Sequence, residues 1–506
     1  MRVVAVGHGR SQGRSLKPGE LRKAALTGAR WTVASRVGLQ LVTWPITIVV
    51  MRLLEPGDYG LFTIALLFTG FIALFGELGL GVALVQTPAL DEGMARAACT
   101  LVLLLNGAVA LAIAVLAPWV AEFYVAPDVT LLMRVLTLQL LFTALATVPQ
   151  ALLERQLQFR WLSIAQLAAG IVGAATTLIA ALLEAGVWAL VAGSLAMALV
   201  RSALLIAFHG RVVWPGSVKL AAVQPMVHVS SQVVAGRVLW YWYGQADQFI
   251  LGRLLNAVQF GLYSVAAQLA MLPVSKAMEA VNRVAFPLMS RAVSDPQALR
   301  DMHLRVIKLL ALYSFGICWG LAAVAPEFVV LVLGPKWEAA TTPLAMLAII
   351  APLRMLCALH NTTTTAVGAP EAATKELLLA AVLVPLAVTV GAWRGGLAGA
   401  AGAWLVAFPI VYLVSNRLTC AAVGLTPFAG LRPLAAPVCS ACTMIAGVWL
   451  VRRLVGDQAP VGLLLGAEIV AGSIVYAAAI WLMDKPLVIE ARAFVRDVLL
   501  PGRARP

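Results

Sequence analysis

Apolar runs of about 20 residues, the length that crosses a bilayer at 1.5 Å rise per residue, recur along the whole of this chain. In hydrocarbon every backbone N–H and C=O must be bonded within its own segment, so each run is an α-helix. Between the runs no stretch is long enough for a soluble domain. Composition agrees: 61% of residues are hydrophobic and 12% charged, where soluble domains carry roughly a quarter charged residues. Too little polar side chain remains to cover a water-facing surface. The expected spans are 32–54, 59–85, 94–120, 131–153, 161–183, 187–208, 225–251, 261–289, 306–333, 342–366, 376–393, 397–414, 434–454 and 461–483. The fold class is therefore an all-α membrane protein of about fourteen transmembrane helices. Gly and Pro punctuate the gaps, as in Glu55-Pro56-Gly57-Asp58 and Gly334-Pro335.

The net charge of +14 suggests nucleic acid only until the charges are placed. They sit in short loops, so the expected partners are anionic membrane lipids or an anionic cargo, and no nucleic acid. With the N-terminus inside, inner loops and tails hold most of the 37 Lys and Arg. Outer ends hold Arg52, Arg134, Arg253, Lys336, Arg394, Arg452 and Arg453. The positive-inside bias then places both termini in the cytoplasm. Residues 1–26 are basic, lack the apolar stretch of a signal peptide and read as a cytoplasmic tail. Residues 485–506 form an amphipathic tail expected to lie on the inner surface.

An internal repeat organises the spans. Arg52-Leu53-Leu54 followed by Tyr59-Gly60-Leu61-Phe62-Thr63-Ile64-Ala65 returns as Arg253-Leu254-Leu255 followed by Phe260-Gly261-Leu262-Tyr263-Ser264-Val265-Ala266. The register holds back to Val33-Ala34 and Arg36, matched by Val234-Ala235 and Arg237. An even number of spans separates the copies, so they run in the same direction, as parallel repeats about an axis along the membrane normal. The expected domains are a six-helix lobe over 27–220, a second over 221–416, and two additional helices over 417–484. The two pseudo-symmetric lobes would enclose a central cleft, one rocking against the other.

Several chemistries find no support. The five His show no metal-ligand spacing. There is no GxxxxGK[ST], and no GxSxG or HExxH in a loop large enough to form a catalytic domain. Cys439 and Cys442 form a CxxC with no second pair and no nearby His, and are expected to pack within a span. No cofactor, metal or enzymatic activity is expected.

Four further segments carry a family pattern. They are Phe75-Gly76-Glu77-Leu78-Gly79-Leu80-Gly81, the loop from Pro149 to Arg160, Ala246-Asp247-Gln248-Phe249-Ile250-Leu251-Gly252-Arg253, and Val284-Ala285-Phe286-Pro287. With the run Arg52 to Leu61, they resemble the polysaccharide and lipopolysaccharide flippases of the multidrug/oligosaccharidyl-lipid/polysaccharide exporter superfamily, over most of residues 30–415. The resemblance implies a transporter of the bacterial inner (plasma) membrane. It would move a polyprenyl-pyrophosphate-linked oligosaccharide from the cytoplasmic to the outer leaflet for surface or exopolysaccharide biosynthesis. Other polysaccharide-assembly proteins are further candidate partners. A peptidoglycan-precursor flippase or a multidrug/cation antiporter of the same superfamily is the alternative. A membrane glycosyltransferase or polymerase is disfavoured by the short outer loops.

Ionisable groups at membrane depth are costly and mark candidate sites. Arg36 and Arg237 are repeat-related and lie near the inner side, where they either bind the cargo phosphates as bidentate forks or snorkel to lipid head groups. Lys276, Glu279 and Arg283 share one helix face by i, i+3 and i, i+4 spacing, and Arg354 is a further cargo-binding candidate. Asp247, Glu279 and Glu77 are candidates for coupling or cleft charge. Arg52 and Arg253 are expected to tie helix ends, Arg52 through Asp58. Trp240, Tyr241, Trp242 and Tyr243 either stack on sugar rings or pack between helices.

Overall fold

The computed structural model describes residues 18–77, 84, 92–209, 238, 241–455, 459–490 and 492. Regular structure among them is helical throughout. The helices are α1 (Pro18–Leu53), α2 (Pro56–Glu77), α3 (Glu92–Phe123), α4 (Asp128–Arg155), α5 (Phe159–Leu182) and α6 (Val187–His209). After α7 (241–254) come α8 (Ala257–Ala292), α9 (Pro296–Ser314), α10 (Thr341–Ala366), α11 (Pro370–Val423), α12 (Ala435–Val455) and α13 (Val461–Met483). Two π turns, Phe315–Trp319 and Val329–Leu333, and a 3₁₀ turn, Pro335–Ala340, carry the chain from α9 to α10.

Side-chain size sorts the helix faces. On α3 the buried positions are mostly small: Ala95, Ala98, Cys99, Val102, Ala110, Ala117 and Ala121. The same helix exposes Leu104, Leu111, Val115 and Trp119. This is the reverse of a soluble helix, and it is what a bilayer selects. Lipid solvates Leu as well as protein does, so helices associate where small residues let backbones approach.

Eleven described helices are long and apolar enough to cross a membrane. One of them, α11, has 54 residues, or roughly 80 Å at 1.5 Å per residue, far beyond a hydrocarbon core of about 30 Å. It breaks at Gly395 (φ −136°, ψ 17°) and Gly396 (φ 54°, ψ −134°). The second conformation is open to glycine because a Cβ would clash with the backbone. Past the break the chain doubles back: a Cβ on Gly391 would lie 2.3 Å from the Gly399 carbonyl oxygen and 2.9 Å from the Ala403 Cβ. The expected spans 376–393 and 397–414 are thus the two legs of one helical hairpin. Two other expected spans do not appear among the eleven. The apolar part of α1 is the shorter stretch Gly38–Leu53, and most of 225–251 lies outside the described residues.

The repeat has a local structural counterpart. Helix α1 ends at Leu53 and α2 begins at Pro56; α7 ends at residue 254 and α8 begins at Ala257. Each helix closes with an i→i−4 bond at the equivalent residue, Leu54 N to Val50 O and Leu255 N to Leu251 O. The caps differ. In the first copy the Asp58 carboxylate reaches back to accept from Glu55 N at 3.0 Å. In the second, the Asn256 side chain accepts from Gln259 N at 2.9 Å. One geometry is reached by the two halves of a capping box.

The chain forms two compact units, Met1–Gln245 and Ala246–Pro506. In the first, α5 packs on α1 and α6, and α4 packs on α2, α3 and α6. In the second, α10 is central, packed by α8 and α11, while α12 and α13 pair with each other. A salt-bridged clamp ties α12 and α13 to the chain after α9. Arg452 Nε donates to Glu468 at 3.0 Å, and its terminal nitrogen donates to Glu327 at 2.6 Å and to the Ala323 carbonyl at 3.0 Å. The packing expected of Cys439 and Cys442 is not found. Both thiols are exposed on α12, because the buried face of that helix runs through Pro437, Ser440, Ala441, Met444 and Val448.

Candidate functional site

Two of the residues singled out by charge, Asp247 and Arg354, are drawn into one cluster inside the second unit. Asp247, on α7, is buried. Tyr263, on α8, donates its hydroxyl to Asp247 Oδ2 at 2.7 Å, and the indole N–H of Trp404, on the second leg of α11, donates to the Tyr263 hydroxyl at 2.9 Å. Each donor is used once, and the chain of donors ends on the carboxylate. Arg354, on α10, balances it electrostatically. The Arg354 guanidinium carbon lies 4.5 Å from the Trp404 ring centre and 6.0 Å from that of Phe408, two rings that pack at 5.7 Å. A cation–π contact of this kind spends none of the guanidinium's N–H edge on a hydrogen bond. Among the described residues that edge meets no hydrogen-bond acceptor or ion-pair partner, and the side chain is only half-buried. The result is a half-exposed cation with spare donors, held over two buried rings, which suits an anionic ligand.

A second polar network lies in the same unit. Ser415 donates to Glu376 at 2.7 Å, and Cys357 and Asn361 also bond that carboxylate. His360 Nδ1 lies 3.0 Å from the Ser415 oxygen. Because the Ser415 proton is committed to Glu376, His360 must donate from Nδ1. By the same reasoning, Thr363 donates to the Leu359 carbonyl and accepts from His303 Nδ1 at 3.1 Å. Both imidazoles are fully buried, with ring centres 5.8 Å apart. The Nε2 atoms of both, the Tyr412 hydroxyl and Asn361 Oδ1 have no hydrogen-bond partner among the described residues. None of these residues was singled out from the sequence.

Of the remaining expected cargo-binding and coupling residues, only Lys276 has a described side chain. Lys276 is exposed on α8. Arg36 lies on α1, Glu77 is the last residue of α2, and Glu279 and Arg283 lie on α8; their side chains are outside the described residues, as are Arg237 and Trp240 altogether. Tyr241 packs: its hydroxyl donates to the Leu67 carbonyl at 2.9 Å and its ring lies 5.9 Å from Phe71. Asp58 is taken up by the α2 cap described above.

A family model described as "Polysaccharide biosynthesis protein" matches residues 49–342, more than half of the chain. The chain belongs to this family. The succinoglycan biosynthesis transport protein ExoT of Rhizobium meliloti (strain 1021) is 26% identical over 491 residues, 96% of each chain. The lipopolysaccharide biosynthesis protein WzxC of Escherichia coli (strain K12) is 25% identical over 407 residues, 79% of this chain and 80% of that one. Among solved structures, the lipid II flippase MurJ in an inward closed conformation superposes with TM-score 0.71 at 12% identity, covering 92% of this chain and 100% of that one. At that identity the likeness establishes the fold. The protein is thus a multi-pass membrane protein of the polysaccharide biosynthesis family.

Proposed function

We propose that this protein flips a polyprenyl-pyrophosphate-linked oligosaccharide from the cytoplasmic to the outer leaflet of the bacterial inner membrane, with both of its termini in the cytoplasm. Family membership and a transport-named relative support the pathway. The observation in this chain that carries the cargo class is Arg354, stacked on Trp404 with its N–H edge unengaged among the described residues. A lipid tail can stay in the bilayer during transfer, but a pyrophosphate and its sugars cannot enter hydrocarbon unaided. A guanidinium grips phosphate oxygens in a fork. Arg36 and Arg237 belong to the same proposal, as a repeat-related pair that takes the pyrophosphate from the inner side.

The test is restoration of surface polysaccharide in a flippase-deficient strain, at matched membrane abundance. One Arg–phosphate interaction is worth about 1.5–3 kcal/mol, roughly ten- to a hundredfold in affinity. Activity is expected to fall in the order wild type, Arg354→Lys, Arg354→Ala, because Lys keeps the charge and loses the fork and the stack. The Arg36→Ala, Arg237→Ala double variant should also fall. Full restoration by Arg354→Ala would remove the site, and full restoration by the double variant would leave snorkelling as the role of that pair.

A further inference from the structure

A cavity of about 740 Å³ opens at one end of the second unit, lined by residues from the middle of α9, the segment between α11 and α12 with the first turn of α12, and Asp484 just past the end of α13. Its size is within the range of about 300–1,000 Å³ usual for small-molecule sites. Its wall has two halves. One is basic: Arg305, Lys308 and Arg432 face a single lining acid, Asp484. Asp484 pairs with Lys308, and Arg305 pairs with Glu490. Arg432 is exposed and forms no ion pair with a described residue. The other half is apolar and includes Phe428, Pro433 and Ala436, with the Phe428 side chain 78% exposed.

The level of this cavity in the membrane can be read from its neighbours. The half-exposed Trp481 on the last turn of α13 carries the Arg492 guanidinium at 5.6 Å. An aromatic ring paired with a cation at the end of an apolar helix marks the head-group layer. Under the orientation proposed above, this end of the unit faces the cytoplasm, whose leaflet carries the anionic lipids. We propose that the cavity holds the phosphate head group of an anionic phospholipid, with Arg432 as its principal ligand and the first acyl carbons along Phe428 and Ala436. A soluble phosphate would gain the charge contact but nothing from the apolar wall. A zwitterionic lipid would bring a second cation into a basic pocket. The occupant that uses both halves is an anionic lipid of the surrounding bilayer. This site is separate from the Arg354 cluster, and its test does not depend on transport.

The experiment is lipid titration of the purified full-length protein by native mass spectrometry, with phosphatidylglycerol, phosphatidylcholine and, separately, inorganic pyrophosphate as competitor. Phosphatidylglycerol should be retained in preference to phosphatidylcholine. Arg432→Gln should weaken phosphatidylglycerol about fivefold, the effect of one basic residue at a membrane surface, and leave phosphatidylcholine unchanged. Asp484→Asn should act in the opposite direction and tighten phosphatidylglycerol, because the amide still accepts from Leu487 N, now 3.1 Å from Asp484 Oδ1, while the pocket loses its one lining negative charge. Loss of fold cannot produce a gain, so the second variant keeps the proposal exposed if the first is unstable. Equal retention of the two lipids, or an unchanged affinity in both variants, overturns it. Displacement of phosphatidylglycerol by pyrophosphate at comparable concentration overturns the lipid assignment in favour of a soluble phosphate.

Discussion

Removing one oxygen atom, by Tyr263→Phe, tests whether the Asp247 cluster is a dry, charge-bearing site or an ordinary interhelical contact. The ring of Tyr263 is fully buried and the packing volume is almost unchanged by the substitution. Two groups lose their partner at once: Asp247 Oδ2, bonded at 2.7 Å, and Trp404 Nε1, bonded at 2.9 Å. A generic hydrogen bond between membrane helices is worth about 0.6 kcal/mol, since helices unfolded in the bilayer find other partners; two of them would sum to roughly 1 kcal/mol. A buried donor or acceptor left unsatisfied costs about 1–3 kcal/mol, and more when it is charged. With one neutral donor and one carboxylate affected, the expected loss is about 2–4 kcal/mol. Unfolding of the purified protein in mixed micelles with increasing dodecyl sulfate measures it, and the polysaccharide-restoration assay gives the functional counterpart. A loss at or below about 1 kcal/mol would mean that the cluster is hydrated or interchangeable, and the argument that Arg354 is held in place through it would fail.

In the α11 hairpin, Gly391→Leu should prevent the two legs from closing, because even a Cβ would meet the Gly399 carbonyl at 2.3 Å; membrane abundance should fall, while Gly402→Ala, whose nearest neighbour is the Met346 sulfur at 3.8 Å, should be tolerated. In the clamp, Arg452→Met leaves Glu468 and Glu327 without their cation and should cost about 3–5 kcal/mol in the same unfolding titration; adding Glu468→Leu should recover part of that loss, and no recovery would show that the clamp is not an electrostatic unit.

The helices and the family were legible in the sequence because both rest on local properties. An apolar run of spanning length has one stable backbone solution in lipid, whatever its neighbours do. The repeated Arg-Leu-Leu break recurs as the same helix ending because each copy carries its own cap within four residues, through Asp58 in one and Asn256 in the other. The site was legible only in part. Asp247 and Arg354 announce themselves as charges in apolar spans, but the residues that organise them, Tyr263 and Trp404, are 141 positions apart and read as ordinary aromatic residues. The His303–His360 network escaped for the same reason, its bonds joining residues 60 and 55 positions apart. A signal was present in the polar run His360-Asn361-Thr362-Thr363-Thr364-Thr365 of α10. It was masked because Thr hydroxyls in a helix bond back to the preceding turn, as Thr362, Thr363, Thr364 and Thr365 all do.

The buried carboxylates of the second unit are not equivalent, and the difference locates function. Glu468 is fully buried and has its cation within bonding distance, on the neighbouring helix; removing it loosens α12 and α13, and nothing in the clamp reaches outward. Glu376 is held by three neutral side chains, Ser415, Cys357 and Asn361, in the interior. Asp247 alone is balanced by a cation that keeps its donors unspent among the described residues and is half-exposed. Desolvating an arginine without satisfying its N–H groups is expensive, and a stacked indole returns only about 0.5–2 kcal/mol of that cost. A purely structural role would be better served by turning the guanidinium edge toward Asp247 in a direct ion pair, as Arg452 does toward Glu468. The observed geometry instead places a tyrosine between carboxylate and helix α11 and leaves the arginine edge for a ligand that is not part of the chain.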